Sequence, residues 1–321
     1  MRAIQIENYG SADQLQVVNT ADPIRNSGEV FIRVLASGVN FIDTYQRAGV
    51  ENYRKPLPLI LGLEGSGEVI ESDADSELNP GDIVAWPFHP NSYAELVSIP
   101  EGKLVRVPKT VSPKQAAALM LQGLTAHYLV NSTFQIDAES VALVHAGSGG
   151  VGQLLVQMIK NAGGQVIATT STDEKRVLLE SLGADHVISY EQFDSKVLGL
   201  TNNQGVDVVY DGVGKNTYMQ SLKSLKKRGL LALFGASSGA VPPMDLQLLN
   251  SHGSLFVTRP TLADYIATTN ELRSRARDIF NDVELGNLKV EIYKEYSLEN
   301  AASAHRDIES RLTHGKLLLI P

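Results

Sequence analysis

The segment Val141–Gly152, which reads VALVHAGSGGVG, constrains the fold of this chain more than any other. A short apolar, β-prone run leads into glycines at positions 147, 149 and 152, and a helical pattern follows over residues 153–162. A strand, a glycine turn and a helix in this order place a pyrophosphate against the free amides of a helix N-terminus. The segment therefore predicts a dinucleotide-binding turn, with a plain strand–helix turn as the alternative.

The chain around this turn alternates between strand and helix patterns. Strands are predicted at 140–145, 165–170, 186–189, 206–210, 230–234 and 254–257, and helices at 151–162, 173–182, 193–200 and 217–225. Six strands with intervening helices predict a complete doubly wound parallel sheet, that is, an α/β Rossmann fold.

The two ends of the chain show other patterns. Short, closely spaced strand patterns separated by turn residues fill residues 1–122 and predict a β-rich, partly open barrel. Ser112, Pro113 and Gln115 predict a helix start. After residue 260 we expect a long helix at 261–285, a strand at 288–292, a helix at 299–310 and a strand at 316–320. A nucleotide-binding fold inserted between two parts of a β-rich domain is one economical interpretation.

Composition excludes several classes of protein. The chain has no cysteine, so disulfides, thiolate nucleophiles and cysteine-bound zinc are impossible. Its seven histidines show no metal-ligand spacing, and no metal site is predicted. A net charge of −8 argues against a general nucleic-acid binder. With neither a signal-peptide pattern nor an apolar run of the ~18 residues that a membrane helix needs, a cytoplasmic protein without membrane contact is expected.

The end of the second strand of the nucleotide-binding fold predicts which cofactor is bound. An NAD site usually has an acid at this position, and here Thr170 or Ser171 stands there, with Lys175 one helical turn farther on. A hydroxyl and a nearby cation suit the 2′-phosphate of NADP, provided that Asp173 and Glu174 point away. In the alternative interpretation Ser171 is only a helix N-cap and Lys175 a solvated residue.

Two further strand ends lie at the carboxyl edge of the predicted sheet, where such folds bind ligands. Gly212 and Gly214 follow the fourth strand and would let the backbone approach the nicotinamide ribose, or would merely form a tight turn. Phe234 follows the fifth strand and reaches the same edge by the same argument.

Several motifs along the chain resemble the zinc-free, zeta-crystallin-like quinone oxidoreductases of the medium-chain dehydrogenase/reductase superfamily. The motifs are residues 38–45 (GVNFIDTY), 62–67 (GLEGSG), 123–126 (GLTA), 146–152 (AGSGGVG), 257–260 (VTRP) and 309–311 (ESR). The resemblance implies a GroES-like catalytic domain formed by residues 1–122 and completed by 261–321, a Rossmann domain at 123–260, an active site between them, and a homodimer. Zinc-containing relatives have ligands at the positions of Asn40 and Leu63, so the resemblance implies a metal-free site.

The resemblance also implies roles for individual residues. Asn40 and Tyr45 are expected to be catalytic and to face nicotinamide and substrate, with the Tyr45 hydroxyl orienting or protonating a carbonyl oxygen. Gly149, Gly150 and Val151 should contact the pyrophosphate, while Thr170, Ser171, Lys175, Tyr190 and Arg311 should surround the 2′-phosphate. The remaining cofactor contacts are expected from Asn40, Thr125, Gly212, Phe234, Gly235, Ser237, Phe256, Val257 and Thr258.

The expected activity is therefore NADPH-dependent reduction of quinones without zinc. A second enzymatic hypothesis is reduction of the C=C bond of enones or alkenals, because both reactions deliver hydride to a conjugated acceptor and share the fold. A third hypothesis, from another class, is a non-catalytic NADPH-binding protein with a structural or RNA-binding role, against which the acidic net charge weighs.

Overall fold

Sixteen strands and ten α-helices make up the computed structural model, which describes residues Met1–Pro321. The strands are β1 (Arg2–Ile6), β2 (Gln16–Asn19), β3 (Glu29–Val39), β4 (Leu59–Ile60), β5 (Gly65–Glu71), β6 (Ile83–Trp86), β7 (Leu96–Pro100), β8 (Val105–Arg106), β9 (Val141–Val144), β10 (Gln165–Thr169), β11 (His186–Ile188), β12 (Val206–Asp211), β13 (Leu225–Leu233), β14 (Phe256–Thr258), β15 (Ile292–Ser297) and β16 (Lys316–Ile320).

The helices connect these strands or pack beside them. They are α1 (Phe41–Ala48), α2 (Pro113–Tyr128), α3 (Gly150–Asn161), α4 (Asp173–Ser181), α5 (Phe193–Leu200), α6 (Tyr218–Lys223), α7 (Gln247–Ser251), α8 (Leu262–Tyr265), α9 (Thr269–Glu284) and α10 (Ala301–Ser310). A π-helical segment, Leu129–Thr133, follows α2. The chain divides into a central unit, Thr125–Tyr265, and a unit made from Met1–Leu124 and Ile266–Pro321. These boundaries lie a few residues beyond those expected from the sequence.

A six-stranded parallel sheet forms the centre of the central unit. Its strand order is β11-β10-β9-β12-β13-β14, and every neighbouring pair is parallel. This order reverses direction between β9 and β12, which is the switch point where doubly wound sheets bind ligands at the carboxyl ends of their strands. The prediction of a doubly wound Rossmann sheet is therefore confirmed.

Both ends of the chain contribute to the sheets of the other unit. β3 pairs antiparallel with β5 and β7 from the N-terminal segment and with β16 from the C-terminal segment. The seven-stranded sheet has the order β15-β16-β3-β5-β6-β8, with β7 on β3, and a second sheet has the order β2-β1-β4. Trp86 is fully buried in a core cluster of this unit, as a packing residue should be.

The structure corrects two expectations about the end of the chain and adds a helix at the first motif. The helix expected at 261–285 is two helices, α8 and α9, because Thr268 caps a new helix through a reciprocal capping box with Glu271. The strand expected at 288–292 is instead β15 at Ile292–Ser297, in register with β16. Helix α1 was not predicted, and it is set by a capping box between Asn40 and Asp43. The start of α2 is confirmed, since Ser112 and Gln115 exchange capping hydrogen bonds.

Candidate functional site

The glycine turn joins β9 to α3 at the carboxyl edge of the parallel sheet. Gly149 is the N-cap of α3 and has no side chain that could accept a hydrogen bond. The amides of the first turn, including those of Gly150 and Val151, therefore receive no side-chain cap. A twelve-residue helix with this end at the switch point is suited to an anionic group. The structure therefore brings Gly149, Gly150 and Val151 together as one potential anion-binding surface.

The glycines of this turn allow close backbone packing. A Cβ on Gly152 would lie 2.4 Å from the carbonyl oxygen of Ala146 and 2.6 Å from that of Gly147. A Cβ on Gly149 would lie 3.2 Å from the Ala146 oxygen. The left-handed residue of the turn is none of these glycines but Ala146, with a φ of 51°. Ala146 thus adopts a conformation that a side chain disfavours.

At the end of β10 the polar groups are hydroxyls and a lysine. Thr170 is buried and its Oγ1 has no hydrogen-bond partner, while Ser171 is exposed. Thr172, not Ser171, is the N-cap of α4, since it accepts from the Lys175 amide. Lys175 is mostly buried, and its burial lowers the pKa of its ammonium group. An anion bound here would stabilise the charged lysine.

The two acids that could have weakened the NADP prediction point outward. The Asp173 side chain is fully exposed and lies 3.5 Å from Arg176. Glu174 is also exposed. Both carboxylates are therefore solvated, although the charge of Glu174 opposes part of the lowering of the Lys175 pKa.

The turns that follow β12 and β13 pack against each other. Asp211 is fully buried and accepts from the amides of Val213 (2.8 Å) and Gly214 (2.9 Å) and from the hydroxyls of Thr217 (2.7 Å) and Ser221 (3.0 Å). It thereby fixes the turn at Gly212–Gly214.

Four of the residues expected at the nicotinamide end meet at these turns. A Cβ on Gly212 would touch the Phe234 ring at 3.0 Å, and a Cβ on Gly235 would lie 2.5 Å from the Gly212 oxygen. The Ser237 amide donates to the same oxygen at 3.2 Å. The structure thus brings Gly212, Phe234, Gly235 and Ser237 into one group.

The expected residues of β14 lie elsewhere on the sheet. Phe256 and Val257 are exposed and Thr258 is half-buried, on the strand that forms the edge next to β13.

The other three expected cofactor contacts are scattered. Thr125 is buried at the beginning of the central unit. Tyr190 follows β11, and its hydroxyl accepts from the Ala146 amide at 2.9 Å. Arg311 belongs to the other unit, where it is the left-handed C-cap of α10.

Asn40 lies in a buried ionic cluster of the unit formed by the chain ends. Its Nδ2 donates to Glu64 Oε1 at 2.7 Å, and its Oδ1 accepts from Lys316 Nζ at 2.9 Å. Lys316 and Glu64 form a fully buried ion pair, and Glu64 Oε2 also accepts from the Leu121 amide at 2.6 Å. The amide of Asn40 is therefore held in one orientation.

A second buried polar chain starts at Asp43, three residues after Asn40. Asp43 Oδ2 accepts from the Asn40 amide and from the Tyr93 hydroxyl, each at 2.9 Å, while its Oδ1 has no partner. Tyr93 contacts His305 Nε2 at 3.2 Å, and His305 Nδ1 lies 3.3 Å from the Arg47 guanidinium. Because arginine only donates, Nδ1 must accept and Nε2 carries the proton of the neutral ring.

Burial shifts the pKa of two groups in this chain in opposite senses. It raises the pKa of Asp43 to about 7 and lowers the pKa of His305 to about 3, the latter helped by the charge of Arg47. Between pH ~4 and ~6.5 the folded state holds an extra proton on Asp43, and the unfolded state holds one on His305. Their contributions to the pH dependence of stability therefore cancel in this window.

Substitution of either group should expose the contribution of the other. In Asp43→Asn only the His305 effect remains, so stability should rise with pH between ~4 and ~6.5 more steeply than in the wild type, by about 1.4 kcal/mol per pH unit. In His305→Gln stability should fall with pH over the same range. Unfolding midpoints at stepped pH measure both slopes, and equal slopes in the two variants would contradict the assignment.

Tyr45 presents a different environment from Asn40. It is half-buried on α1, with its ring 6.4 Å from Phe41 and 5.2 Å from Tyr53 between centroids. Both donor positions of the Asn40 amide are directed to protein oxygens, Glu64 Oε1 and the Gly38 carbonyl. The side-chain amide of Asn40 therefore has no donor position left for a ligand.

Sequence reasoning missed the buried charges Glu64, Lys316 and Asp211 as parts of the candidate site. A lone acid inside the apolar stretch Leu61–Glu64 was a usable signal for Glu64, whereas its partner Lys316 lies 252 positions away and carries no such signal.

The structure contains no group of three or more His, Cys, Asp or Glu side chains arranged to hold a metal ion. None of its helices is both long enough and apolar enough to span a membrane.

Comparison with known proteins places these units in a family. Residues 26–109 match the alcohol dehydrogenase GroES-like domain, and residues 150–278 match the zinc-binding dehydrogenase family. A quinone oxidoreductase of Pseudomonas aeruginosa is 40% identical, over 100% of this chain and 99% of the relative. A 2-haloacrylate reductase of a Burkholderia species is 36% identical, over 92% of this chain and 91% of the relative.

A solved structure agrees with this placement along the whole chain. The Escherichia coli quinone oxidoreductase, crystallised in complex with NADPH, superposes with a TM-score of 0.97 at 37% identity, and each chain is covered completely. The chain belongs to the quinone oxidoreductase family, with a GroES-like domain and a Rossmann domain.

Proposed function

We propose that this protein is an NADPH-dependent quinone reductase that uses no bound metal. The observation that carries the cofactor choice is the end of β10, where the buried Thr170 hydroxyl lacks a partner and burial lowers the pKa of Lys175, so that both groups would gain from a bound anion. The relatives named quinone oxidoreductase support the acceptor class. NADPH, when bound, supplies the hydride.

The residues of the central unit fit the cofactor as follows. The uncapped first turn of α3 would bind the pyrophosphate through the amides at Gly149–Val151. Thr170, Ser171 and Lys175 would surround the 2′-phosphate. The group of Gly212, Phe234, Gly235 and Ser237 would position the nicotinamide half, and Thr125, Val257 and Thr258 would complete its surroundings.

The residues around α1 would handle the acceptor. The Tyr45 hydroxyl would donate to a carbonyl oxygen of the quinone as negative charge develops on it. Asn40, held by Glu64 and Lys316, would form a rigid wall of the site. Neither Asn40 nor Leu63 is a customary zinc ligand, and the nearby Glu64 carboxylate is paired with Lys316, so this donor set does not suit zinc.

An assay of NADPH oxidation tests the proposal directly. With 1,4-benzoquinone or 9,10-phenanthrenequinone we expect turnover with NADPH and at least tenfold lower kcat/KM with NADH. Lys175→Ala should remove most of this preference, because a charge-assisted hydrogen bond of about 1.5–3 kcal/mol corresponds to roughly 10- to 100-fold in affinity. Arg176→Ala, one position along the same helix, is the matched control. Equal rates with both cofactors in the wild type would refute the 2′-phosphate assignment.

Reduction of a conjugated C=C bond is the second candidate, because the 2-haloacrylate reductase relative acts on such a compound by its name. The same assay with a simple enone and with 2-chloroacrylate separates the two. Turnover of these acceptors without turnover of any quinone would replace the first proposal by the second. Binding of NADPH without turnover of any acceptor would favour a non-catalytic role.

We also propose that the protein forms a homodimer. β14 is the edge strand of the parallel sheet, and it exposes Phe256 and Val257 beside unpaired backbone groups. Such an edge is available for pairing with a second copy of the same strand. The molar mass in solution from light scattering decides between monomer and dimer.

We also propose a cytoplasmic location for the protein, which cell fractionation tests.

A further inference from the structure

Ala146 is the residue on which the geometry of the glycine turn depends. Its φ of 51° lies in the left-handed region, which alanine occupies only when the surrounding contacts hold it there. Its carbonyl accepts from the Gly149 amide at 2.9 Å and lies in the space that a side chain at Gly152 would need. The orientation of the Ala146 peptide units therefore determines where α3 begins.

The hydroxyl of Tyr190 holds the amide side of this residue. The Ala146 N–H donates to Tyr190 Oη at 2.9 Å, across 44 positions of sequence. This is the hydrogen bond that the Ala146 amide makes. Loss of the partner of this half-buried N–H would disfavour the left-handed conformation further, so the hydrogen bond stabilises it.

Tyr190 is itself held by a buried histidine. Its ring stacks on His145 with centroids 5.9 Å apart and planes inclined by 18°, and Phe193 contacts the same imidazole edge-on at 4.6 Å. His145 Nδ1 lies 3.0 Å from Thr169 Oγ1, and Nε2 lies 3.0 Å from Ser221 Oγ. Ser221 donates in turn to Asp211. A ring stack on His145 and a chain of hydrogen bonds from His145 through Ser221 thus connect Tyr190 to Asp211, the carboxylate that fixes the turn at Gly212–Gly214.

We propose that Tyr190 is a positioning residue for the pyrophosphate turn, acting through the amide of Ala146. This inference rests on the proposed binding of NADPH. It differs from the role that the family resemblance implied for Tyr190, which was contact with the 2′-phosphate. A positioning residue affects every ligand that carries the pyrophosphate, whereas a 2′-phosphate contact affects only NADPH.

Tyr190→Phe keeps the ring stack on His145 and removes only the hydroxyl. We expect the Kd values of NADPH, NADH and ADP-ribose to rise alike, by about 5- to 10-fold, which corresponds to one hydrogen bond. The NADPH/NADH ratio of kcat/KM should stay within twofold of the wild-type ratio. KM for the cofactor should rise while kcat is retained, because the hydride-transferring end of the cofactor is untouched.

Rescue by glycine distinguishes positioning from general damage. Glycine adopts a positive φ without a steric penalty, so Ala146→Gly in the Tyr190→Phe background should recover at least threefold of the lost affinity. In the wild-type background, Ala146→Gly should change the Kd of NADPH by a smaller factor than it does in the Tyr190→Phe background. The non-additivity of the two substitutions measures the coupling between the residues.

Tyr210→Phe is the matched control. It also removes a buried tyrosine hydroxyl that bonds to a backbone group of the central unit, the Leu129 carbonyl at 3.2 Å. The inference is overturned if Tyr190→Phe weakens NADPH alone, if it changes no Kd, or if Tyr210→Phe weakens all three ligands equally. A wild-type protein that binds none of the three ligands would instead refute the proposed function.

Discussion

Replacement of Glu64 by Gln is expected to lower the unfolding temperature of the unit that contains it by on the order of 10 °C. The substitution leaves the Lys316 ammonium fully buried without its carboxylate. Loss of one partner from a buried ion pair typically costs about 3–5 kcal/mol, because the remaining charge has no solvent and no counter-ion. A glutamine has only one acceptor oxygen, so it cannot accept from both the Asn40 side chain and the Leu121 amide, as the two carboxylate oxygens do.

The double variant Glu64→Gln/Lys316→Met provides the internal check. Removal of both charges eliminates the uncompensated ammonium, so the double variant should be more stable than Glu64→Gln alone. Glu68→Gln on the same strand is the surface control, since its pair with Arg33, at 3.4 Å, is half-exposed and should contribute less than about 1 kcal/mol. Scanning calorimetry gives the midpoints, and a Glu64→Gln midpoint equal to that of Glu68→Gln would contradict the argument.

Gly152→Ala is expected to weaken NADPH binding by about 100-fold or more. The added Cβ would lie 2.4 Å from a backbone oxygen that cannot rotate away, so α3 must move relative to the turn and carry its first-turn amides with it. Overpacking of this kind also destabilises the fold, by roughly 1–3 kcal/mol. Isothermal titration with NADPH measures the first effect, and thermal unfolding measures the second.

Gly199→Ala is the control for this substitution. A Cβ at Gly199 meets nothing within 4 Å, and the residue lies within α5, where alanine is preferred over glycine. This variant should bind NADPH normally and should be at least as stable as the wild type. If Gly152→Ala binds NADPH as well as Gly199→Ala does, the glycine turn does not bind the cofactor as proposed.

The parallel sheet could be predicted from the sequence because its information is local. Apolar strands that alternate with helical patterns, and a glycine turn at the first crossover, are readable within short windows, and all six strands lie where they were expected or overlap those ranges. The final strand, Lys316–Ile320, was also predicted at its observed bounds. The break between α8 and α9 was missed because the helical pattern continues across it, and only the capping pair Thr268 and Glu271 marks the new start.

The buried polar chains could not be predicted in the same way. Lys316 meets Glu64, and His305 meets Tyr93, only after strands from both chain ends have paired. A lysine in a strand looks solvated in sequence, since lysine is rarely fully buried. The glycine spacing predicted an anion-binding turn, but it could not show that Ala146 rather than a glycine adopts the left-handed conformation, because that choice depends on Tyr190.

The place of β16 in its sheet has a consequence for biosynthesis. This strand pairs with both β3 and β15, yet it is translated after the whole central unit, whereas β3 is translated before it. On the ribosome the Rossmann unit can therefore fold as soon as its own residues emerge, while β3 waits with one edge open and Glu64 lacks its cation. Protease protection of nascent chains stalled at increasing lengths would reveal this order. An early-made segment that remains incomplete for so long is the part of the nascent protein that most needs shielding by a chaperone.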